Sequence, residues 1–523
     1  MLLAAILLPA AAGFVVSQSA RAAVGGTLRV AYTEDVDSLD PALAFSTYSW
    51  AIEYATCAPL TIYPDTSASK GSFPVPEAAA GPPSISADRR TYVFTVRPGL
   101  RFSDGSPLTA ANYAAAIKRV TDPVMNSGGA YLLASLRSVS SSGRTLRIAL
   151  KQPEGDLVEI LAMPFFCPVP ANFPTNPAGT DLMIGSGPYF VASRVPNREI
   201  VLKRNRFYGG RRPHHPATVD IQIGATADEQ FAAAEAGKLD VPFDVQYASF
   251  TNAELTKLVK RYGVGKRQFF LKPAPETYYL ALNTQSAIFK NNAPLRRAIN
   301  FAVDRHEIVR ELGLLQHRRT DQLLSSVSNG FIDAHMYPLA GSNLARARQL
   351  ARGHLRGGHV VFYTRPSPFW QKISAVVTYN LEQLGLTVDV KSYPTSVMNA
   401  KAGTRGEPFD IAVAYWSGDT PDPADFIVPL LSGDTIQATG NTNLSYFDVP
   451  AYNRRIRAAN ALVGAARYRA FGRLDVDIMK NQAPVVPLFA GLTKPFVAAR
   501  VGCFTYNPFM GFDFAALCVG PGA

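Results

Sequence analysis

The sequence predicts an α/β protein. Segments with the period of a strand and segments with the period of a helix alternate through both halves of the chain. Capping and stop residues bracket several of the helical segments. Gly and Pro, 39 of each, punctuate the boundaries more often than a helical bundle would allow. Hydrophobic residues make up 47% and charged residues 18% of the 523, enough apolar surface for a large core and too much length for one ordinary domain.

In chain order, GGTLRVAY opens on Gly25-Gly26 and alternates as a strand does. In RTYVFTVRPGLRFSDGS, Tyr92, Phe94 and Val96 share one face before turns at Pro98-Gly99 and Ser103-Asp104-Gly105. LTAANYAAAIKRV reads as a helix with Thr109 as its N-cap. Two capping boxes follow, Thr226 to Glu229 with an end near Gly237, and Thr251 to Glu254 with a stop at Gly263. APLRRAINFAVDRHEIVREL places Leu295, Ile299, Ala302 and Val303 on one helical face. FWQKISAVVTYNLEQLGLTVDVKSY reads as helix, Gly385 stop, then strand, and FDIAVAYW as a short buried strand. Internal repeats and low-complexity tracts are not evident. Such a length without a flexible linker suggests lobes of interleaved segments, with ligand sites at the interface between them.

The termini and the charge narrow the function class. Met1 to Val16 is almost wholly apolar and leads to Ala20-Arg21-Ala22, a small-x-small cleavage pattern, so residues 1–23 read as a secretory signal peptide. No Lys or Arg precedes the apolar run, which leaves open a start upstream of Met1. Formal net charge is +12, but the basic residues are dispersed and runs such as Lys203-Arg204-Asn205-Arg206 and Arg211-Arg212 are short, so no nucleic-acid partner is expected. Export implies an oxidising compartment. The four cysteines, Cys57, Cys167, Cys503 and Cys518, permit three pairings; Cys503 with Cys518 is the expected one, because the segment between them can fold back as a hairpin.

Six motifs then appear in a fixed order: DSLDPALA (37–44), YVFTVRPGLRFSDGSPLTAANY, GSGPYFV (185–191), YYLALNTQSAIFKNNAPLRRAINFAVDRHEIV, FDIAVAYWSGDTPDPADF and QAPVVPLF (482–489). Together they resemble the family 5 extracytoplasmic solute-binding proteins of ABC transporters, which include dipeptide-, oligopeptide- and nickel-binding proteins. The resemblance covers almost all of the mature chain. It implies a two-lobed periplasmic-binding-protein fold of type II with an extra domain, closing by a hinge over its ligand. Lobe I would combine residues 24–62, 183–271 and 485–523; the extra domain would span 63–182 and lobe III 272–484. It further implies a periplasmic monomer that captures a small peptide or peptide-like solute for the permease subunits at the inner membrane. No cofactor, metal or catalytic residue is expected.

Within YWSGDTPDPADF, the resemblance assigns Asp419 to a ligand's α-amino group. A carboxylate enclosed by closing lobes needs a compensating charge, and an ammonium supplies it through charge-assisted hydrogen bonds. The alternative for Asp419 is to stabilise the turn before Pro421. Asp422 and Asp425 are read as turn and helix-start residues. Trp416 is the family-position choice for the cleft wall, with Tyr48, Trp50, Tyr278, Tyr279 and Tyr415 as further aromatic candidates; core packing is the alternative for each. Ser46 and Thr47 follow DPALAF and are candidates to reach the cleft. Asn283 is either a ligand hydrogen-bond partner or part of a strand-end turn. His214-His215 sit between prolines in what reads as an exposed loop rather than a metal pair.

Enzyme motifs are absent. Gly-x-Ser-x-Gly does not occur, and HEIVR carries Arg310 where a zinc helix needs its second His. The competing readings are a binding protein for a non-peptide solute (nickel chelate, sugar or opine) and an exported peptide or glycan hydrolase acting through the Asp419 region.

Overall fold

The computed structural model describes residues 25–64 and 73–520. The expected signal peptide and its cleavage pattern lie outside the described residues. Two sheets organise the molecule. The first has five strands in the order Val241–Pro242, Thr27–Tyr32, Thr218–Ile223, Glu199–Arg204 and Tyr189–Val195. Thr27–Tyr32 runs parallel to both of its neighbours, and the other pairs are antiparallel. Leu28, Val30 and Tyr32 alternate into its core, as the period of two requires.

The second sheet has seven strands, and its main path runs Lys272–Pro273, Val485–Thr493, Glu276–Leu282, Ile411–Ser417, His359–Thr364 and Thr387–Ser392; His317–Arg319 also pairs with Val485–Thr493. Apolar clusters cover it on both faces. Residue 485, where the sequence reading sets the return to lobe I, begins a strand of this second sheet. Val485–Thr493 is a near-continuous apolar run, buried along most of its length, and it finds two covered faces only inside this second sheet. The chain returns to the first lobe just afterwards: the Lys494 amide donates to the Gln246 carbonyl (2.9 Å), and Phe269 bridges Phe496. The outward crossing, near Phe270–Pro273, lies beside it, since the Phe270 amide donates to Pro495 and Lys272 pairs with Thr493. Two adjacent crossings therefore join the lobes.

Between the first two pieces of the first lobe lies an antiparallel sheet, Ser84–Ile85, Thr91–Thr95, Thr145–Leu150 and Leu136–Ser142, carrying the helix Ala110–Thr121. Tyr92, Phe94 and Val96 are all buried there. Its seam with the first lobe includes a two-pronged ion pair of Arg119 with Asp40 (2.9 and 2.7 Å) and the Cys57–Cys167 disulfide. Cys503 and Cys518 are bonded across the antiparallel pair Val501–Gly502 and Cys518–Val519.

The helix boundaries follow local chemistry. Thr226 and Thr251 each accept from the amide three residues on, while Glu229 and Glu254 return the bond. Gly385 closes Pro368–Leu384 at φ 99°, a conformation that a side chain would resist. The run after Asn292 is two helices rather than one. Ala293–Ala302 ends, and Asp304 accepts from the Glu307 amide (2.9 Å) to start Arg305–Leu312.

Candidate functional site: the cavity between the lobes

A cavity of about 520 Å³ opens where the lobes meet. Phe45, Thr47, Trp50, Tyr247 and Phe509 line it from the first lobe. Glu276, Tyr278, His317, Ser417 and Asp419 line it from the second, and Gly491–Lys494 form its floor at the returning crossing. That volume lies within the range of small-ligand sites.

The DSLDP motif builds one wall. The Asp37 carboxylate accepts from the amides of Phe45 (2.7 Å) and Ser46 (3.0 Å) and from the Ser46 hydroxyl (2.7 Å). This fixes the start of the helix Thr47–Thr56, and so brings Thr47 and Trp50 to the cavity. Ser46 is spent in the same arrangement: its oxygen caps the helix by accepting from the Ser49 amide (3.2 Å), and Ser46 does not line the cavity.

The opposite wall comes from Ile411–Ser417 and the turn after it. Strand pairing sets Tyr415 opposite Tyr278 and Trp416 opposite Thr277. Successive side chains point to opposite faces, so Tyr415 and Trp416 cannot share a wall. Trp416 packs into the helical layer behind the sheet, where its indole Nε1 is buried without a hydrogen-bond partner. Tyr415 is half exposed and stacks on Tyr278 (5.5 Å, 22°), with the Arg365 guanidinium against its ring. Tyr278, not Tyr415 or Trp416, lines the cavity. Tyr48 bonds Asp244 and packs on Tyr32 and Phe243; Tyr279 is buried. Asn283 is buried at the strand end, donating to the Phe409 carbonyl (2.9 Å) and accepting from the Gln285 amide (3.1 Å), away from the cavity lining.

The three aspartates separate. Asp425, in the first turn of Ala424–Leu431, accepts the amides of Asp419 (2.6 Å) and Thr420 (2.9 Å) on one oxygen. Asp422 accepts from the Ala424 amide (2.8 Å) and from the buried Arg467 guanidinium (2.7 Å), which also reaches Asp156 of the extra domain (3.1 Å). Asp419 alone lines the cavity, and the Tyr131 hydroxyl of the extra domain donates to its carboxylate at 2.8 Å. Gly418 makes this turn feasible, because a Cβ there would lie 2.7 Å from the Phe426 ring.

Electrostatics follow burial. Desolvation pushes Asp419 up, opposed by the Tyr131 hydrogen bond. Asp425 is pushed up to about 8 by burial and then by the Asp419 charge. Burial also raises Glu276 and lowers Lys494, and each partly offsets the other. His317 is pushed down to about 4 by burial, so it is uncharged at neutral pH. The other ionisable acid and base groups of the lining are the carboxyl groups of Asp419 and Glu276 and the amine of Lys494.

Sequence reasoning missed Glu276, Lys494, His317, Tyr247, Phe509 and Tyr131. One signal was available: Lys494 is the only charge between Val485 and Ala499. Among the described residues, one group of possible metal ligands comes together, His215 with Cys503 and Cys518 within 4.8 Å, and both sulfurs are committed to their disulfide. No helix of the described residues is long and apolar enough to cross a membrane.

The model of the bacterial extracellular solute-binding proteins, family 5 Middle, matches residues 74–438. The chain is 24% identical over 490 residues to the probable D,D-dipeptide-binding periplasmic protein DdpA of Escherichia coli (strain K12), covering 91% of this chain and 90% of that protein. It is 24% identical over 483 residues to heme-binding protein A of Haemophilus influenzae (strain ATCC 51907 / DSM 11121 / KW20 / Rd), covering 85% and 84%. Among solved structures it resembles clavulanic acid biosynthesis oligopeptide binding protein 2, with a TM-score of 0.82, 24% identity and 96% of each chain covered.

Proposed function

The chain belongs to the bacterial extracellular solute-binding proteins, family 5, and we propose that it captures a small peptide or peptide-like solute between its lobes and delivers it to an ABC transporter permease for import. The signal peptide expected from the sequence and the periplasmic relative DdpA support a periplasmic location. No covalent step is required: the work is affinity and lobe closure, and the matched relatives are named as binding proteins.

One observation carries the peptide reading. The Asp419 carboxylate stands in the cavity wall while Asp425, not Asp419, secures the surrounding turn. Asp419 is thus not needed to hold the turn; the Tyr131 hydroxyl donates to its carboxylate, and burial still disfavours its charge. A ligand ammonium meets that need and gains a charge-assisted hydrogen bond. Tyr278, Trp50 and Phe509 offer faces to apolar side chains without selecting one shape.

Calorimetry with short peptides, each with a free or an N-acetylated amino terminus, tests this. Free amines are expected to bind on the order of tenfold or more tightly, and Asp419→Asn to abolish the difference while the fold is retained. Equal binding of both forms by the unmodified protein would overturn the reading, as would peptide hydrolysis by the pure protein. Mass spectrometry of the co-purified solute then identifies the class: a nickel chelate, sugar or opine there would replace the peptide.

A further inference from the structure

The extra domain and the second lobe meet at a seam outside the ligand cavity, and a carboxyl group sits in that seam without a cation of its own. The extra domain is tied to the first lobe by the Cys57–Cys167 disulfide and the Arg119–Asp40 ion pair, whereas the second lobe is joined to the first along the chain by the two crossings. Contacts between the extra domain and the second lobe are therefore made and broken as the lobes close and part. Glu159, on the short helix Leu157–Ile160, is 3% exposed in this seam. One carboxyl oxygen accepts from the Tyr468 hydroxyl of the second lobe, and the other is buried with no hydrogen-bond partner among the described residues. Asp156 and Asp422 stand near it, Glu154 lies beside Asp156, and the phenols of Tyr63 and Tyr92 complete the surroundings. Arg467 is the cation of this group, and its guanidinium is already claimed by Asp422 (2.7 Å) and Asp156 (3.1 Å). Arg89 crosses the same seam but donates to the Ala461 carbonyl.

We propose that Glu159 is a proton-binding latch on lobe closure: the closed seam holds it as the neutral acid, and parting of the lobes admits water and releases the proton. This rests on the reading that the lobes close over a solute, and not on the class of that solute. Ionised in the closed seam, Glu159 would add a third negative charge beside Asp156 and Asp422, with one neutral donor facing it. Burying a charge on those terms is costly. The neutral acid removes the repulsion and keeps its bond with Tyr468. Burial, and then the Asp422 charge, push Glu159 up to about 8 in the closed seam, against an ordinary value of 4.5. Between those values closing takes up from solvent a proton that the open form has released. Closure is thus favoured at the acid end of this window, weakens as pH rises through it, and levels off above about 8. The seam is also joined to the ligand wall, because Asp422, which shares Arg467 with Asp156, belongs to the turn that carries Asp419.

Small-angle scattering of the ligand-free protein between pH 6 and pH 9 reads the closing equilibrium. The unmodified protein is expected to have a smaller radius of gyration at pH 6 than at pH 9, with the closed-to-open ratio falling about tenfold per pH unit between pH 6 and pH 8, as the uptake of one proton requires. Glu159→Gln has the shape of the neutral acid and cannot ionise, so its radius should stay at the compact value throughout. Tyr468→Phe removes the hydroxyl and leaves the titrating group, so the pH dependence should persist, which separates the proton from the packing of the seam. A radius that does not change with pH in the unmodified protein, or that changes equally in Glu159→Gln, overturns the inference. Calorimetry with trialanine is the separate test of the peptide reading. Failure to bind it counts against that reading while scattering still decides the latch, and a flat radius leaves the peptide reading standing.

Discussion

Asp419 and Asp425 share one turn and divide its tasks. Asp425 takes both backbone amides, so its neighbour's carboxylate is left for the cavity. The arrangement has a cost that pH reveals. Asp425 holds its proton up to about 8, against an ordinary value of 3.8, chiefly because it is buried and then because Asp419 stands close. Between those values the folded protein binds a proton that the unfolded chain has released, so this group's contribution to stability declines as pH rises through that window. Asp475, pushed up to about 7 by burial, acts in the same direction. Melting temperature is therefore expected to fall from pH 5 to pH 8 in part through these two groups, by the linkage relation. Asp425→Asn keeps an acceptor for the two amides and removes one titration; its melting curve should depend less steeply on pH than that of the unmodified protein. An unchanged slope in differential scanning calorimetry would contradict the assignment.

At the scale of elements, the helix Gly464–Asn481 shows how a turn in one lobe is tied to the extra domain. Arg467 is fully buried and joins Asp422 of the cavity turn to Asp156, while Tyr468 bonds Glu159. Gly155 lies so close to the Leu462 carbonyl that a Cβ would approach it within 1.7 Å, so the surfaces are in intimate contact. Removing one member of a buried ion pair strands the others. Arg467→Met is expected to cost about 3–5 kcal/mol, read as a lowered denaturation midpoint. A loss below about 1 kcal/mol, the range of an exposed pair, would mean that water reaches the seam. The strand Val485–Thr493 illustrates the same point in apolar form, since its burial on both faces decides which lobe owns it.

At the scale of the molecule, two crossings side by side form a narrow connection, and the cavity lies against it. A ligand that touches both walls favours the closed arrangement by its differential contacts. Small-angle scattering should record a smaller radius of gyration on addition of a bound peptide, together with a raised melting temperature. Thermal stabilisation with an unchanged radius would argue that the lobes do not move.

Much of the frame was legible along the chain. Alternating periods announced an α/β protein, Thr226 and Thr251 announced their helices, and the segment between Cys503 and Cys518 folds back on itself because its ends pair as strands. These features depend on neighbours in sequence, and local backbone chemistry decides them. The cavity is another matter. Trp416 and Tyr415 are adjacent in sequence yet face opposite sides of a sheet, so only the register with Thr277 and Tyr278 tells which side is wet. Asn283 reads equally well as a ligand partner or a turn until Phe409 is placed beside it. Tyr131, Glu276, Asp419 and Lys494 come from four separate segments, each at least 75 residues from the next, and nothing local marks them as one site. The sequence by itself determined the class of fold, the family and one carboxylate to watch. Only the tertiary structure decided which side chains share a cavity and which charges lack partners, because burial and pairing are properties of segments brought together from distant parts of the chain.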